Sequence, residues 1–505
     1  MLKGSIKNFS WDFYSKLIIL IYSSLQIMRL PILPQFMDIY YHILTAWGFI
    51  KAGGYTGWDF WQYAPLGRIH IYPPVFHLIL TLPMKLGASP VILAKFFEGV
   101  MPVAFLVVLW DFAKKNYNDC LAFFVTLMFS SSFSFYLSLL NHLPATLAFI
   151  FGLLAFTQLF QRNFLRSLIL LTLCFYTHIG ISWFFALSFL FYGLFNREQR
   201  KICFGLFILA LVLSIPILFK QLTSLRVISS LGLSLNERYL CQIKIVDYVL
   251  AFLGLILAFK KDIKYRLFPS FFLASLIFLV YPYRFFSAEG YLAVIALSAL
   301  FLYALYQDCK IKAVYLKYIL ISVTLFILFF SPTVSMYKPI GKGKLSYKII
   351  FFDSALMGML FARGQTMWFP DEYISAANLI KDNSESEDIV YSNFNVAGMI
   401  LASISGRSTA NGLLPEIKPS RKFDPFAVSK IIVFAQDEDH SLINRIASGY
   451  HLIGIGENKL FILYKNPYSQ ARVDIKRASV PFWAIMLISA ISIFLFWQRP
   501  RKIKI

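Results

Sequence analysis

The sequence predicts a polytopic α-helical membrane protein of about twelve spans, with a C-terminal extracytoplasmic α/β domain and a final membrane span. Three observations predict it. Of 505 residues, 58% are hydrophobic and only 15% charged, whereas soluble globular domains carry about a quarter charged residues. The same balance excludes disorder, which needs low hydrophobicity and high charge. Second, apolar runs long enough to cross a bilayer recur along the chain. Third, the basic excess is unevenly spread. Residues 332–479 hold 17 basic and 14 acidic side chains, while the other 357 residues hold 31 and 12. Basic residues gathered at the ends of apolar runs mark a membrane protein, and nucleic acid is removed as a partner.

The first run follows Met1–Ser10, with Lys3 and Lys7. Arg29, Pro31 and Pro34 come after it in place of a small-residue cleavage site, so it reads as a retained span. Further runs lie at 91–110, 119–136, 143–160, 165–178, 180–195, 201–219, 246–259, 267–281, 288–306, 313–331 and 480–497. The segment 71–88 opens with Pro73-Pro74, is cut by Pro83 and carries Lys85. Reading it as interfacial or re-entrant places 21 of the 31 basic residues on the inner side, Lys114, Lys115, Lys260, Lys261, Lys310, Lys312 and the C-terminal Arg499, Arg501, Lys502 and Lys504 among them. Both termini are then cytoplasmic in a multi-pass protein of the cell membrane. The chain divides into a membrane domain, 1–331, with a first outer loop at 34–90; an outer domain, 332–479; and a last span with a basic tail, 480–505.

The outer domain reads as α/β. Helical patterns at Asp371–Lys381, from Val396 and at His440–Ser448 alternate with apolar runs at Asp388–Ser392 and Lys430–Ala435. His451–Ile455 and Lys459–Tyr464 flank Gly456-Glu457-Asn458 as a hairpin. None of the five cysteines lies in 332–479 and no CxxC pair occurs, so neither a disulfide framework nor a cysteine zinc site is expected.

With this topology Asp38, Asp59, Glu98, Glu237, Asp247 and Glu289 fall at or near the outer face, and the spans read as nearly free of interior acids. The first outer loop is the richest in polar and aromatic groups. It holds Asp38, Tyr40, Tyr41, His42, Trp58, Asp59, Trp61, Tyr63, Arg68, His70, Tyr72 and His77. Such a mixture suits either an aromatic belt at the interface or a catalytic loop pressed on the membrane.

Met37-Asp38-Ile39-Tyr40-Tyr41-His42, just past the first span, resembles the Asp motif of GT-C superfamily polytopic membrane glycosyltransferases. Trp58-Asp59-Phe60-Trp61-Gln62-Tyr63-Ala64-Pro65-Leu66-Gly67-Arg68, then Tyr72-Pro73, resembles the first outer loop of the oligosaccharyltransferase catalytic subunit. The motif likeness covers roughly 37–75. Two departures matter. The loop after the third span reads Asn141-His142-Leu143-Pro144, with no carboxylate where that family has an acidic pair. The outer domain's single tryptophan, Trp368, stands in Met-Trp-Phe-Pro and not in the family's W-W-D-Y-G, so acceptor-peptide recognition is not implied.

What the resemblance implies is transfer of a sugar from a polyprenyl-phosphate donor at the extracytoplasmic face, with membrane lipids and the lipid-linked sugar as partners. That chemistry needs a carboxylate to deprotonate the acceptor and a positive group to meet the departing phosphate. Asp38 and Asp59 are the catalytic candidates. Arg68, His178 and Arg284 are the substrate-binding candidates, Arg284 through a bidentate fork on phosphate. A divalent cation, Mg or Mn, would be held by Asp38 and Glu237. Arg284 also reads as an interface anchor among aromatics, and His178 as a structural histidine. Two other readings stay open: a transporter or flippase of lipid-linked glycans, and a catalytically inactive GT-C relative.

Overall fold

The computed structural model describes residues 10–224, 241–308, 314–337, 345–361, 370–412, 419 and 421–497. Lys3, Lys7, Glu237, Lys310, Lys312, Trp368 and the four basic residues at the C-terminus lie outside them. Each apolar run read from the sequence falls on helix. In order these are α1 (Trp11–Arg29), α2 (Asp38–Ala52), α3 (Val75–Lys85), α4 (Pro90–Asn116), α5 (Asp119–Phe129), α6 (Phe133–Asn141), α7 (Leu143–Phe160), α8 (Phe164–Phe175), α9 (Ile179–Phe195), α10 (Arg200–Leu213) and α11 (Ile215–Thr223). The later apolar helices are Ile245–Ala258, Leu267–Ser275, Tyr291–Asp308, Val314–Phe330 and Phe482–Trp497.

Among the described residues, five helical stretches can cross a membrane by length and composition: Trp11–Ile32, Pro90–Asn116, Leu143–Phe160, Ile263–Val280 and Pro282–Gln307. Two bent pairs raise this to seven, against the twelve or so expected. The α5–α6 pair turns through 82° and the α10–α11 pair through 63°. Local chemistry explains both breaks. Ser130-Ser131-Ser132 interrupts the first, and Ser132 caps α6 by accepting from Phe135 N at 3.2 Å. Pro216 opens α11, where its missing N–H and fixed φ suit a new helix start and not a continued one. The other apolar helices are shorter than 18 residues. At 1.5 Å per residue α3, with 11 residues, reaches about 16 Å, too short for a hydrocarbon core of about 30 Å.

Ion pairs fix one end of the bundle. Asp12 accepts from Lys16 at 2.8 Å and from Lys114 at 2.6 Å, and Lys114 lies 3.6 Å from Asp119. The starts of α1 and α5 and the end of α4 therefore share this end. The bundle interior is apolar and aromatic, with Phe156 stacked on Phe189 at 4.1 Å. Helices Ile245–Ala258 and Tyr291–Asp308 pack closely through Gly254, where a Cβ would stand 1.9 Å from the Leu297 carbonyl. The interior is not free of acids, contrary to the sequence reading. Glu98 and Asp247 are both fully buried. Asp247 accepts from Ser131 Oγ at 2.7 Å and from Tyr291.

The strands begin in the first loop: β1 (Gly54–Tyr55), then β2 (Trp58–Asp59) paired antiparallel with β3 (Arg68–Ile69). Next, β4 (Cys241–Lys244), β5 (Thr333–Tyr337) and β6 (Ser346–Ile350) form an antiparallel sheet. Lys244 joins this sheet to the α5–α6 break, donating to the carbonyls of Ser131 at 2.6 Å and Asp353 at 3.2 Å. Ala355 and Met359 then enter the bundle core. The first part of the expected outer domain thus packs with the bundle.

After residue 370 the chain forms a mixed sheet, order β10-β11-β9-β7-β8, from β7 (Ile389–Ser392), β8 (Ser408–Thr409), β9 (Ile431–Ala435), β10 (Ile453–Glu457) and β11 (Phe461–Lys465). β7 runs parallel to β8 and β9, and β11 antiparallel to β9 and β10. The hairpin turn falls two residues later than predicted, between Glu457 and Phe461, because Asn458 Oδ1 accepts from Leu460 N and Phe461 N at 3.0 and 2.9 Å. This sheet and the first loop are one hydrogen-bonded unit. Ala64 N donates to Thr409 O, Thr409 N to Trp61 O and Tyr63 N to Asn411 O, at 2.9, 2.9 and 3.1 Å. Trp47 of α2 donates to Ser403 O at 2.9 Å. Finally β12 (Val480–Pro481) pairs with β1 and leads into Phe482–Trp497.

Candidate functional site

Five charged or titratable side chains converge where α2, α6, α9 and the helix Tyr291–Asp308 begin or end. Asp38 is the first residue of α2, immediately after the turn that follows α1. Burial pushes its carboxyl up from the usual carboxylate range, while the charges of His142 and Arg284 pull it down. His142 is the hinge between α6 and α7. Its Nδ1 lies 3.2 Å from Glu289 Oε1, and its Nε2 lies 3.2 Å from Asn141 Nδ2.

Arg284, on the short helix Pro282–Phe286, places Nη1 3.5 Å from the same Glu289 oxygen and its guanidinium 5.6 Å over the Tyr281 ring. A tight turn brings Glu289 back onto it. Gly290 N donates to Arg284 O at 2.8 Å, and a Cβ at 290 would come within 2.6 Å of Phe285 O. Glu289 is 1% exposed, whereas the Arg284 side chain is 36% exposed. The pair therefore has a buried acid and an accessible cation. His178 caps α9, its Nδ1 accepting from Ile181 N at 3.1 Å. The Tyr72 ring meets it edge-on at 6.2 Å.

Asp59 and Arg68 are placed differently from the expectation. They are paired with each other at 3.6 Å and sealed from solvent. Arg68 also donates to Gln62 Oε1 at 3.1 Å and lies 5.0 Å over the Tyr63 ring. Gly67 closes this turn in the left-handed region, φ +66°, where a Cβ would stand 2.5 Å from Trp58 Nε1. Burial raises the Asp59 carboxyl, against the pull of Arg68. Both side chains hold the loop in shape. Beneath them lies a buried histidine group: His42 Nδ1 is 2.9 Å from His77 Nε2, and the His70 and His77 rings are 5.4 Å apart.

The structure thus brings Asp38, His178 and Arg284 together and adds His142 and Glu289, which the sequence reading did not assign. His142 occupies the place noted for its missing carboxylate, and Glu289 supplies the carboxylate from a distant segment. The spacing Arg284-x4-Glu289 is the one local signal that could have linked the acid to the site. Glu237 lies outside the described residues. Among those described, no group of three His, Cys, Asp or Glu side chains is placed to hold a metal ion. The described residues do not by themselves make a site for Mg or Mn.

No family model matches the sequence, and no curated protein is similar enough to count as a match. Solved structures do match. ArnT from Cupriavidus metallidurans bound to undecaprenyl phosphate aligns at TM-score 0.54 and 12% identity, covering 91% of this chain and 99% of that one. Archaeal oligosaccharyltransferase AglB from Archaeoglobus fulgidus, in complex with an inhibitory peptide and a dolichol-phosphate, aligns at 0.55 and 10%, covering 92% and 75%. The Archaeoglobus fulgidus oligosaccharyltransferase complex with Zn and sulfate aligns at 0.54 and 10%, covering 90% and 73%. The fold is GT-C-like. The chain is a membrane protein of that architecture.

Proposed function

We propose that the protein transfers a sugar from a polyprenyl-phosphate donor to an acceptor at the extracytoplasmic face of the membrane. The observation that carries this reading is that Asp38 and Arg284 lie near enough at one end of the bundle for their charges to act on each other, beside His142, His178 and Glu289. The donor's isoprenoid tail lies in the bilayer and its phosphate at the interface. Asp38 begins α2 at that level, and its raised affinity for a proton suits a general base. In the reaction, the acceptor's nucleophilic atom bonds to the anomeric carbon as that carbon's bond to the phosphate oxygen breaks. The acceptor proton passes to Asp38, and the polyprenyl phosphate leaves as an anion toward Arg284. Arg284 offers a planar fork matched to phosphate. Glu289 holds the arginine and His142 in place from the buried side. Both termini are cytoplasmic in this reading.

The ArnT and AglB structures were solved with undecaprenyl phosphate and dolichol-phosphate, respectively, which supports a lipid-phosphate carrier here. The test is transfer in liposomes, using sugar-labelled undecaprenyl- and dolichyl-phosphate pentoses and hexoses with a panel of acceptors. The expected result is Asp38-dependent release of polyprenyl phosphate with at least one donor. Absence of release across the panel, with the protein folded, would favour an inactive GT-C relative.

A further inference from the structure

Glu98 of α4 sits inside the bundle, 0% exposed, and uses both carboxylate oxygens on one short stretch of main chain. Its Oε2 accepts from Gln35 N at 2.7 Å and its Oε1 from Phe36 N at 3.1 Å. These amides belong to the turn after α1, and Asp38 follows two residues later. Further contacts hold this turn and tie α1 to α4 and α6 around it. Arg29 donates to Gln35 Oε1 at 2.8 Å. Gln26 donates to the Glu98 carbonyl at 2.9 Å and accepts from Tyr136 of α6 at 2.6 Å. Gly99 lets α4 approach: a Cβ there would stand 2.9 Å from the Leu30 side chain. By contrast α2 has no side-chain cap at its start, so the direction of its first residue is set by this turn.

We propose that Glu98 is the positioning residue for Asp38, clamping the 35–36 main chain so that the Asp38 carboxylate meets the acceptor in line with the donor. The proposal rests on the reading of Asp38 as the base. A carboxylate is the group for this clamp because it alone among side chains offers two acceptors that can face adjacent amides. A glutamine would present an NH2 to one of them.

The test is Glu98→Gln in the full chain, in liposomes, with sugar-labelled undecaprenyl-phosphate hexoses, alongside Asp38→Asn and the double variant. Amide hydrogen exchange at Gln35 and Phe36 reports the clamp directly. The expected result is faster exchange at those two amides, with melting lowered by no more than the loss of one buried hydrogen bond. kcat should fall about tenfold or more, since a misplacement near 1 Å can cost 100-fold. KM for the lipid donor should stay within about twofold. In the Asp38→Asn background Glu98→Gln should cost nothing further, because the two act as a unit. A structural role alone would raise KM and lower kcat together. Parental kcat despite faster exchange, or equal losses with and without Asp38, overturns the proposal. Parental turnover in Asp38→Asn is a different result: it removes the base assignment itself, and the positioning role with it.

Discussion

Asp38 and Asp59 are both acids of the first outer loop with raised carboxyl pKa values, yet their substitutions should separate cleanly. Asp38 has no hydrogen-bonding partner among the described residues. Asp38→Asn is nearly isosteric and should leave detergent melting unchanged while lowering transfer about 100-fold or more, as for a lost general base. The acid limb of the parental pH–rate profile should lie above the ordinary carboxylate range, because burial favours the protonated form. Asp59→Asn breaks a buried ion pair and leaves the Arg68 charge unmatched. It should destabilise by about 3 kcal/mol or more, read as a lower melting temperature. For Arg284, Lys keeps the charge but loses the fork, so donor affinity should drop several-fold. Ala should cost more, about 1.5–3 kcal/mol, measured as donor Kd. Donor binding in Arg284→Ala equal to the parent would leave the residue an interface anchor.

At the scale of elements, α2, the loop strands and α3 enclose His42, His70 and His77, and burial lowers all three, His77 to about 3. The sign follows from linkage. Below the ordinary value near 6.5 the unfolded chain takes up protons that the folded chain refuses. The stability contributed above that pH is therefore lost as pH falls from about 6.5 toward 3, at about 1.4 kcal/mol per histidine per pH unit. Melting temperature should decline steeply below pH 6, and His77→Gln should flatten the slope by about one proton. An unchanged slope would contradict burial of a neutral His77. Asp38, His178 and Arg284 were legible as candidates because each stands at a helix end beside turn or aromatic residues. Glu289 and His142 were not, since a contact across about 150 residues leaves no periodic trace in either segment. The breaks at Ser130–Ser132 and Pro216 were legible only as composition, because apolar periodicity is the same on both sides of a bend.

Across the whole molecule, the two polar ends of the bundle differ in kind. The Asp12, Lys114 and Asp119 end is a set of partly exposed ion pairs. The Asp38, Glu289 and Arg284 end sets a buried acid, Glu289, behind an accessible cation, and the sheet formed after residue 370 is hydrogen-bonded to the first loop beside it. Sheet and site therefore share one side of the membrane, whichever side it is. We propose from the lysine and arginine distribution that this side is the outside. Lys260, exposed just past the helix Ile245–Ala258, is expected with the inner cluster under this proposal, while the exposed Glu385 precedes β7 and Lys51 ends α2 near β1. Single cysteines at 51, 260 and 385 in a variant lacking the five native cysteines should be compared in intact cells with membrane-impermeant maleimide. Positions 51 and 385 should label without permeabilisation and 260 only after it. Labelling of 260 alone would invert the topology and carry Asp38 and Arg284 to the cytoplasmic face. Labelling of 385 but not 51 would separate the sheet from the first loop and contradict their pairing.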